Sequence, residues 1–250
     1  MSEHFYTSIA KYYQHIFPAN PAQVKFLSNI LPYNGARVLD VGCATGDLSF
    51  ALTRFGFPVW AFDFEAEMIE MAQNAKSEET MFPIFEQLDM RLLDLHYPKA
   101  FFDTVICFGN TLVHLLNDDE IRKFLHAAHK VLSKDGTLTI QLLNYHHILE
   151  NQIKSLPPID NKFINFDRRY EFTEGSSLID FNTKLTIKST GEVIQNTVKL
   201  YAITQAKLQE LLEESGFEKF EYFGSFMSEP LKADSLPLIA NCKKQEYRVN

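Results

Sequence analysis

Hydrophobic and polar positions change their period several times along this chain, and each change marks an element. Residues 37–41 form a short apolar run that ends in Gly42-Cys43-Ala44-Thr45-Gly46, the pattern of a strand closed by a glycine turn. Leu48, Ala51, Leu52 and Phe55 then recur at helical spacing and predict a helix. The alternation repeats. Residues 58–63 read as a second strand and 65–75 as a helix with Met68, Met71, Ala72 and Ala75 on one face. Glu65 and Glu67 lie in that helix's first turn, where the helix dipole favours acids. Residues 83–88 give a third strand ending at Asp89, and 103–108 a nearly continuous apolar fourth, as expected of a strand covered on both faces.

Asn117-Asp118-Asp119-Glu120 caps a helix whose Ile121, Phe124, Leu125, Ala128, Val131 and Leu132 form one apolar stripe. Lys134-Asp135-Gly136 ends it, and residues 137–143 make a fifth strand. Strands alternating with helices predict a parallel sheet of βαβ units. After Pro157-Pro158 the period becomes a loose alternation from Phe163 to Tyr201, with turn signals at 174–176 and 189–192. Two or three antiparallel strands inserted at 157–203 in a single domain spanning 1–250 are expected, serving as a substrate lid or as the surface of a homodimer. Thr204 caps a last helix bearing Leu208, Leu211 and Leu212, closed by Gly216, and 217–223 and 236–243 predict two final strands.

Composition narrows the partners. The 250 residues carry Lys+Arg 24 against Asp+Glu 32, a net charge of -8, which argues against an electrostatic grip on nucleic acid and for a small molecule. Glu3 and His4 stand where a signal peptide would carry Lys or Arg, and no apolar run is long enough to span a bilayer. A cytoplasmic protein with no membrane partner is expected. Cys43, Cys107 and Cys242 lie far apart in sequence without C-x-x-C spacing, as reduced buried thiols do. His126, His129 and the adjacent His146-His147 lack a third ligand at metal spacing, so no metal is expected.

The chemistry concentrates at 38–48. A strand, a glycine turn and a helix start are the parts of a nucleotide cradle. The spacing Gly42-x-x-x-Gly46 differs from the G-x-G-x-x-G of a dinucleotide site, and Asp40 at the strand tip would repel a pyrophosphate but attract an ammonium or sulfonium. No G-x-x-x-x-G-K-[ST] occurs, which removes a P-loop. Asp63, at the end of strand two, stands where a carboxylate accepts both hydroxyls of a ribose. Asp89, at the end of strand three, is placed to accept from an adenine amino group, with Met90, Phe64 and Met68 around the ring.

Asp40-x-Gly42-x-x-x-Gly46, Asp63, Asp89-Met90 and the strand 102–107 resemble the successive motifs of class I S-adenosylmethionine-dependent methyltransferases, over about residues 37–143. The final helix, Gly216-Phe217 and the closing strands resemble that family's C-terminal pair. The resemblance implies an α/β fold, a seven-stranded, mostly parallel Rossmann-like sheet with one reversed strand, flanked by helices. It implies S-adenosylmethionine as donor and S-adenosylhomocysteine as product. Backbone at Gly42 and Cys43 would lie beside the methionine moiety, Asp63 on the ribose, and Asp89 and Met90 by the adenine. Residues 108–115 (FGNTLVHL), with Phe108 on the donor side and Asn110 and His114 on the acceptor side, are similar to the corresponding segment of glycine and sarcosine N-methylating enzymes. Tyr6, Tyr13, Ile16 and Phe17 resemble their opening helix, whose tyrosines close over the donor; Gln14 stands where an Asp is usual.

For the acceptor, His114 is a candidate general base or a helix-packing residue. Arg168 and Arg169 are candidates to pair with an acceptor carboxylate or are solvated strand arginines. Tyr145 either lines the acceptor pocket or caps the sheet edge. Two other classes remain open at this stage: a nicotinamide-dependent oxidoreductase, which Asp40 and the glycine spacing disfavour, and a catalytically silent donor-binding partner.

Overall fold

The computed structural model describes residues 5–18 and 20–245. Among these residues, eleven strands divide between two sheets. The first contains β1 (Val38–Val41), β2 (Val59–Asp63), β3 (Ile84–Gln87), β4 (Phe102–Cys107) and β5 (Leu132–Leu143). After the smaller sheet of β6 (Ser155–Asp160), β7 (Ile164–Phe172), β8 (Leu178–Ile187) and β9 (Val193–Tyr201), β10 (Phe217–Phe223) and β11 (Pro237–Lys244) return to the first. The seven-stranded order is β10-β11-β5-β4-β1-β2-β3, and β11 alone runs against its neighbours. This is the expected α/β sheet with one reversed strand.

The helices are α1 (Phe5–Ile9), α2 (Tyr13–Ile16), α3 (Pro21–Ile30), α4 (Asp47–Arg54), α5 (Ala66–Ala75), α6 (Leu93–His96), α7 (Asp118–Val131), α8 (Tyr145–Glu150) and α9 (Gln205–Glu214). Packing follows the apolar stripes. All six residues of β4 are buried, as a central strand covered on both faces requires. On α7 the side chains of Ile121, Phe124, Leu125, Ala128 and Val131 are buried, and the Asn117 side chain accepts from the Glu120 amide, satisfying one donor of the first turn. Helix α7 stops at Val131, earlier than the Lys134-Asp135-Gly136 signal, because Leu132 already pairs with Phe102. The register then shifts, with Thr104 opposite Thr137, so that glycine turn becomes an irregularity inside β5.

The inserted segment forms four strands in the order β6-β7-β8-β9, all antiparallel, where two or three were expected. Pro157 and Pro158 fall inside β6, at the register shift between Leu156 and Ile159, where a strand at the sheet edge tolerates them. The period-two pattern of this sheet is one-sided. Ile164, Phe166 and Tyr170 of β7, Ile179, Leu185 and Ile187 of β8, and Val198 and Leu200 of β9 are buried. They belong to the same apolar core as β4, β5 and α7. Helices α1 and α2 lie between the two sheets, α1 against β9 and α5, α2 against β7. Among the described residues no helix is long and apolar enough to cross a membrane.

Candidate active site

The carboxyl ends of β1, β2 and β4 open onto two adjoining cavities of about 310 and 440 Å³. The turn after β1 explains their shape. Gly42 has φ +73° and Gly46 φ +82°, conformations that suit a residue without Cβ. A Cβ on Gly42 would stand 2.4 Å from Thr111 Cγ2, and one on Gly46 2.5 Å from the Phe85 ring. Gly42 lets the chain after β4 close on the turn and lines both cavities. Gly46 lines neither; it allows α4 to start against Phe85, so its predicted contact with the donor becomes a packing role. The amides are committed internally: Gly42 N and Cys43 N donate to Phe62 O, and Gly46 N to Cys43 O. A turn with its donors spent in this way is a poor phosphate cradle, which removes the ground for a dinucleotide site.

The three acids differ in environment. Asp40 is buried and accepts a 2.6 Å hydrogen bond from Ser49 Oγ. Burial pushes its pKa up to about 6, the Ser49 bond opposes the rise, and the Asp63 charge adds to it. Asp63 accepts from the amides of Ala44, at 2.8 Å, and Glu65, at 3.0 Å. Burial raises its pKa in spite of those bonds. Asp89 pairs with Arg91, which also reaches Glu120 at 2.6 Å. Burial would raise its pKa, but the Arg91 hydrogen bonds and charge carry it below the usual carboxylate range. Asp63 and Asp89 line the smaller cavity with Phe64, Met68 and Met90, while Asp40, Cys43 and Phe108 line the larger.

Phe5, Tyr6, Tyr13, Gly42, Ala44, Gly109 and His114 line both cavities and mark their junction. There the Tyr6 hydroxyl and His114 Nε2 are 2.8 Å apart, with ring centroids 5.3 Å apart edge to face. Burial brings the His114 pKa down to about 4, so the imidazole is neutral at pH 7. Asn110 has both ends of its amide engaged: Nδ2 donates to the Tyr145 hydroxyl at 2.8 Å and Oδ1 accepts from Leu143 N at 3.1 Å. It lines the larger cavity while tying the end of β4 to that of β5.

Two predicted acceptor residues leave the site. Tyr145 is fully buried and lines neither cavity; its hydroxyl supports Asn110 from behind, the sheet-edge alternative. Arg169 is exposed on the outer face of the small sheet, beside a separate depression with Asp167 and Asn182. It alternates with Arg168, which lines the larger cavity with Tyr170, Phe181 and Leu200. Gln14 donates to Asp47 at 3.2 Å, so this position contacts the β1–α4 turn through an amide. The sequence reading missed Arg91, Asp47, Tyr170 and Phe181. Arg91 and Asp47 were detectable as neighbours of Asp89 and Gly46, whereas the aromatics of the small sheet carry no local signal.

Comparison with known proteins agrees with this geometry. Residues 38–136 match a family model described as a methyltransferase domain. A glycine/sarcosine N-methyltransferase of Halorhodospira halochloris is 25% identical over 240 residues, 89% of this chain and 80% of that protein. Another, from Aphanothece halophytica, is 28% identical over 202 residues, 80% of this chain and 73% of its own. In fold, the CcbJ methyltransferase from Streptomyces caelestis superposes with a TM-score of 0.83 at 18% identity, covering 98% of this chain and 100% of that one. The reversed-strand sheet, the acids at its carboxyl edge, the family match and the curated relatives lead to one conclusion: the chain belongs to the class I S-adenosylmethionine-dependent methyltransferases.

Proposed function

We propose that this methyltransferase acts on a small-molecule acceptor at nitrogen or oxygen, and that the two cavities divide the work. The adenosine of the donor lies in the smaller cavity, its ribose on Asp63 and its adenine between Asp89, Met90, Phe64 and Met68. The methionine end lies in the larger cavity beside Gly42 and Cys43, its cationic groups facing Asp40. The acceptor approaches from the side of the small sheet. The observation that carries this reading is the shared junction, which includes Tyr6, Tyr13, Gly42 and His114, where among the described residues the two cavities meet.

Two acids with raised pKa values, the buried Asp40 and the half-buried Asp63, support a cationic ligand. Each carboxylate is costly to ionise in the empty protein and is stabilised by a positive charge nearby. The bound donor supplies an electrophilic methyl group on a sulfonium. A lone pair on the acceptor would form the new bond to carbon as the carbon–sulfur bond breaks with its electron pair on sulfur, and the one proton that a nitrogen or oxygen acceptor loses would pass to solvent. Positioning in line accounts for most of the acceleration. His114 at about 4 is too weak a base to drive proton removal at neutral pH. It serves as a positioning residue whose neutral ring holds Tyr6 at the junction without repelling the sulfonium.

Calorimetric titration with S-adenosylmethionine, S-adenosylhomocysteine and NADH tests the reading. Binding of the first two and none of the third is expected, and a metabolite panel scored by S-adenosylhomocysteine release then identifies turnover. Failure of both sulfur ligands to bind would end the proposal. Donor binding with no turnover across the panel would favour the silent donor-binding alternative.

A further inference from the structure

We infer that the methyl acceptor is a carboxylate with an apolar body of about aromatic size, its carboxylate held by Arg168 on the inner face of the small sheet. The inference rests on the methyltransferase reading above and goes further by naming the acceptor's class and the residue that selects it.

The argument begins with alternation. Side chains of a strand point to opposite faces in turn, and on β7 the inward positions Ile164, Phe166 and Tyr170 are buried. Arg168 shares that inward row, between Phe166 and Tyr170, and is the one charged side chain in it; Phe172, the last position, packs partly buried against the same core. An arginine set into an apolar face is normally matched by an acid, because a guanidinium withdrawn from water needs a counter-charge. Here there is none. Among the described residues Arg168 makes no ion pair; Nη2 donates to the Pro157 carbonyl at 2.7 Å, and Nε is buried with no hydrogen-bond partner. Its half-burial lowers the guanidinium pKa, which the polar neighbour Tyr170 only partly offsets. A desolvated cation with a buried, unused donor is incomplete in a way that a ligand oxyanion completes, since carboxylates match the guanidinium fork.

The rest of the cavity fixes the class. Its two lining acids, Asp40 and Asp47, belong to the β1–α4 region, on the donor side. Arg168 is the only Lys or Arg among the described residues that line it, so one negative charge is the load it can balance. The anion is therefore drawn to the small-sheet side and repelled from the donor side, which orients the acceptor. Around Arg168 the lining is apolar or aromatic: Leu143, Leu156, Tyr170, Phe181 and Leu200. Glycine has no surface to offer these groups; an acceptor with an aromatic or branched aliphatic body does.

Binding to the full-length protein saturated with S-adenosylhomocysteine tests this without requiring turnover. Phenylacetate, phenylacetamide and acetate are titrated calorimetrically. Phenylacetate is expected to bind roughly 10- to 100-fold more tightly than phenylacetamide, the range for one hydrogen-bonded charge, and acetate to bind weakly for want of a body. Arg168→Gln should abolish the preference for the acid, and Arg168→Lys should keep part of it. Arg169→Gln, one residue along and on the outer face, should keep all of it. Equal binding of acid and amide, no binding of phenylacetate to the loaded protein, or an unchanged preference in Arg168→Gln overturns the inference. If Arg168→Gln fails to fold, the wild-type ligand pair and Arg168→Lys still decide. If S-adenosylhomocysteine itself does not bind, the donor reading has failed first and takes the inference with it.

Discussion

At the carboxyl edge of the seven-stranded sheet, each acid stands within a residue or two of the strand end that positions it: Asp40 is held by the Ser49 hydroxyl, Asp63 by the amides of Ala44 and Glu65, and Asp89 by the amide and guanidinium of Arg91. Across the cavity, Arg168, Tyr170 and Phe181 come from two strands of the small sheet and are placed by its register, Tyr170 opposite Phe181 and Arg168 opposite Thr183, with one hydrogen bond from Arg168 to the Pro157 carbonyl. The donor wall is local and tightly bonded. The acceptor wall is a surface of side chains on a regular sheet, where one substitution changes chemistry without disturbing a turn. A family that keeps one donor and changes acceptors would be expected to divide its architecture in this way.

The comparison can be broken by experiment. The largest effect is expected from Asp63→Ala, which would remove the two charge-assisted hydrogen bonds proposed to the ribose. Donor affinity should fall by roughly 10²- to 10⁴-fold with the circular dichroism spectrum retained. Calorimetry that finds the affinity unchanged would take Asp63 off the ribose. Next is a matched pair of glycines. Gly42→Ala combines positive-φ strain with a collision against Thr111 and should cost about 2–5 kcal/mol, whereas Gly191→Ala, at φ +75° with nothing within 4 Å, should cost only the strain, about 1–2 kcal/mol. Equal shifts in urea midpoint would mean that the donor turn is no more tightly fitted than a hairpin in the small sheet.

The Asp40 carboxyl gives an effect of intermediate size. With a folded-state pKa of about 6 against the ordinary 3.8, the native state holds this proton more tightly than the unfolded chain. Its contribution is therefore present in full below the unfolded value and is lost as pH rises through about 6, a loss of roughly 3 kcal/mol. Because a cationic donor needs the ionised form, its affinity should rise about tenfold between pH 5 and pH 7. Asp40→Asn should flatten that profile; an unaltered slope would place the titration elsewhere. The smallest effect is expected from Tyr6→Phe, which loses the hydroxyl bonded to His114. It should weaken donor binding by a few-fold, about 1 kcal/mol, read from S-adenosylhomocysteine titrations of the variant.

What could be read in advance follows the same division. The strands of the large sheet, the helices between them and the acids at three strand tips were legible because an apolar run, a glycine and a following helix stripe are all local; the reversed strand was implied by the family resemblance alone. Gly46 was misplaced because a sequence does not show whether a positive-φ glycine makes room for a ligand or for a ring such as Phe85. Tyr145 and Arg169 were misplaced for want of direction: Tyr145 turns behind Asn110, and Arg169 differs from Arg168 only in strand parity, which depends on knowing which face of the inserted sheet meets the core. The loose alternation over 163–201 showed that strands were present. It did not show that they formed a separate four-stranded layer, since that depends on pairings such as Asn165 with Thr186 that no turn signal encodes.

Helices α1 and α2 touch both layers through a few polar bonds: Thr7 to Glu65 and Glu67, Gln14 to Asp47, and the backbone of His15 and the hydroxyl of Ser8 to Asn161 and Asn196. Phe5, Ile9 and Ile16 of the same stretch are buried in the core that both sheets share, so this strip of chain is a seam: a substitution that loosens it disturbs its contacts with both layers together.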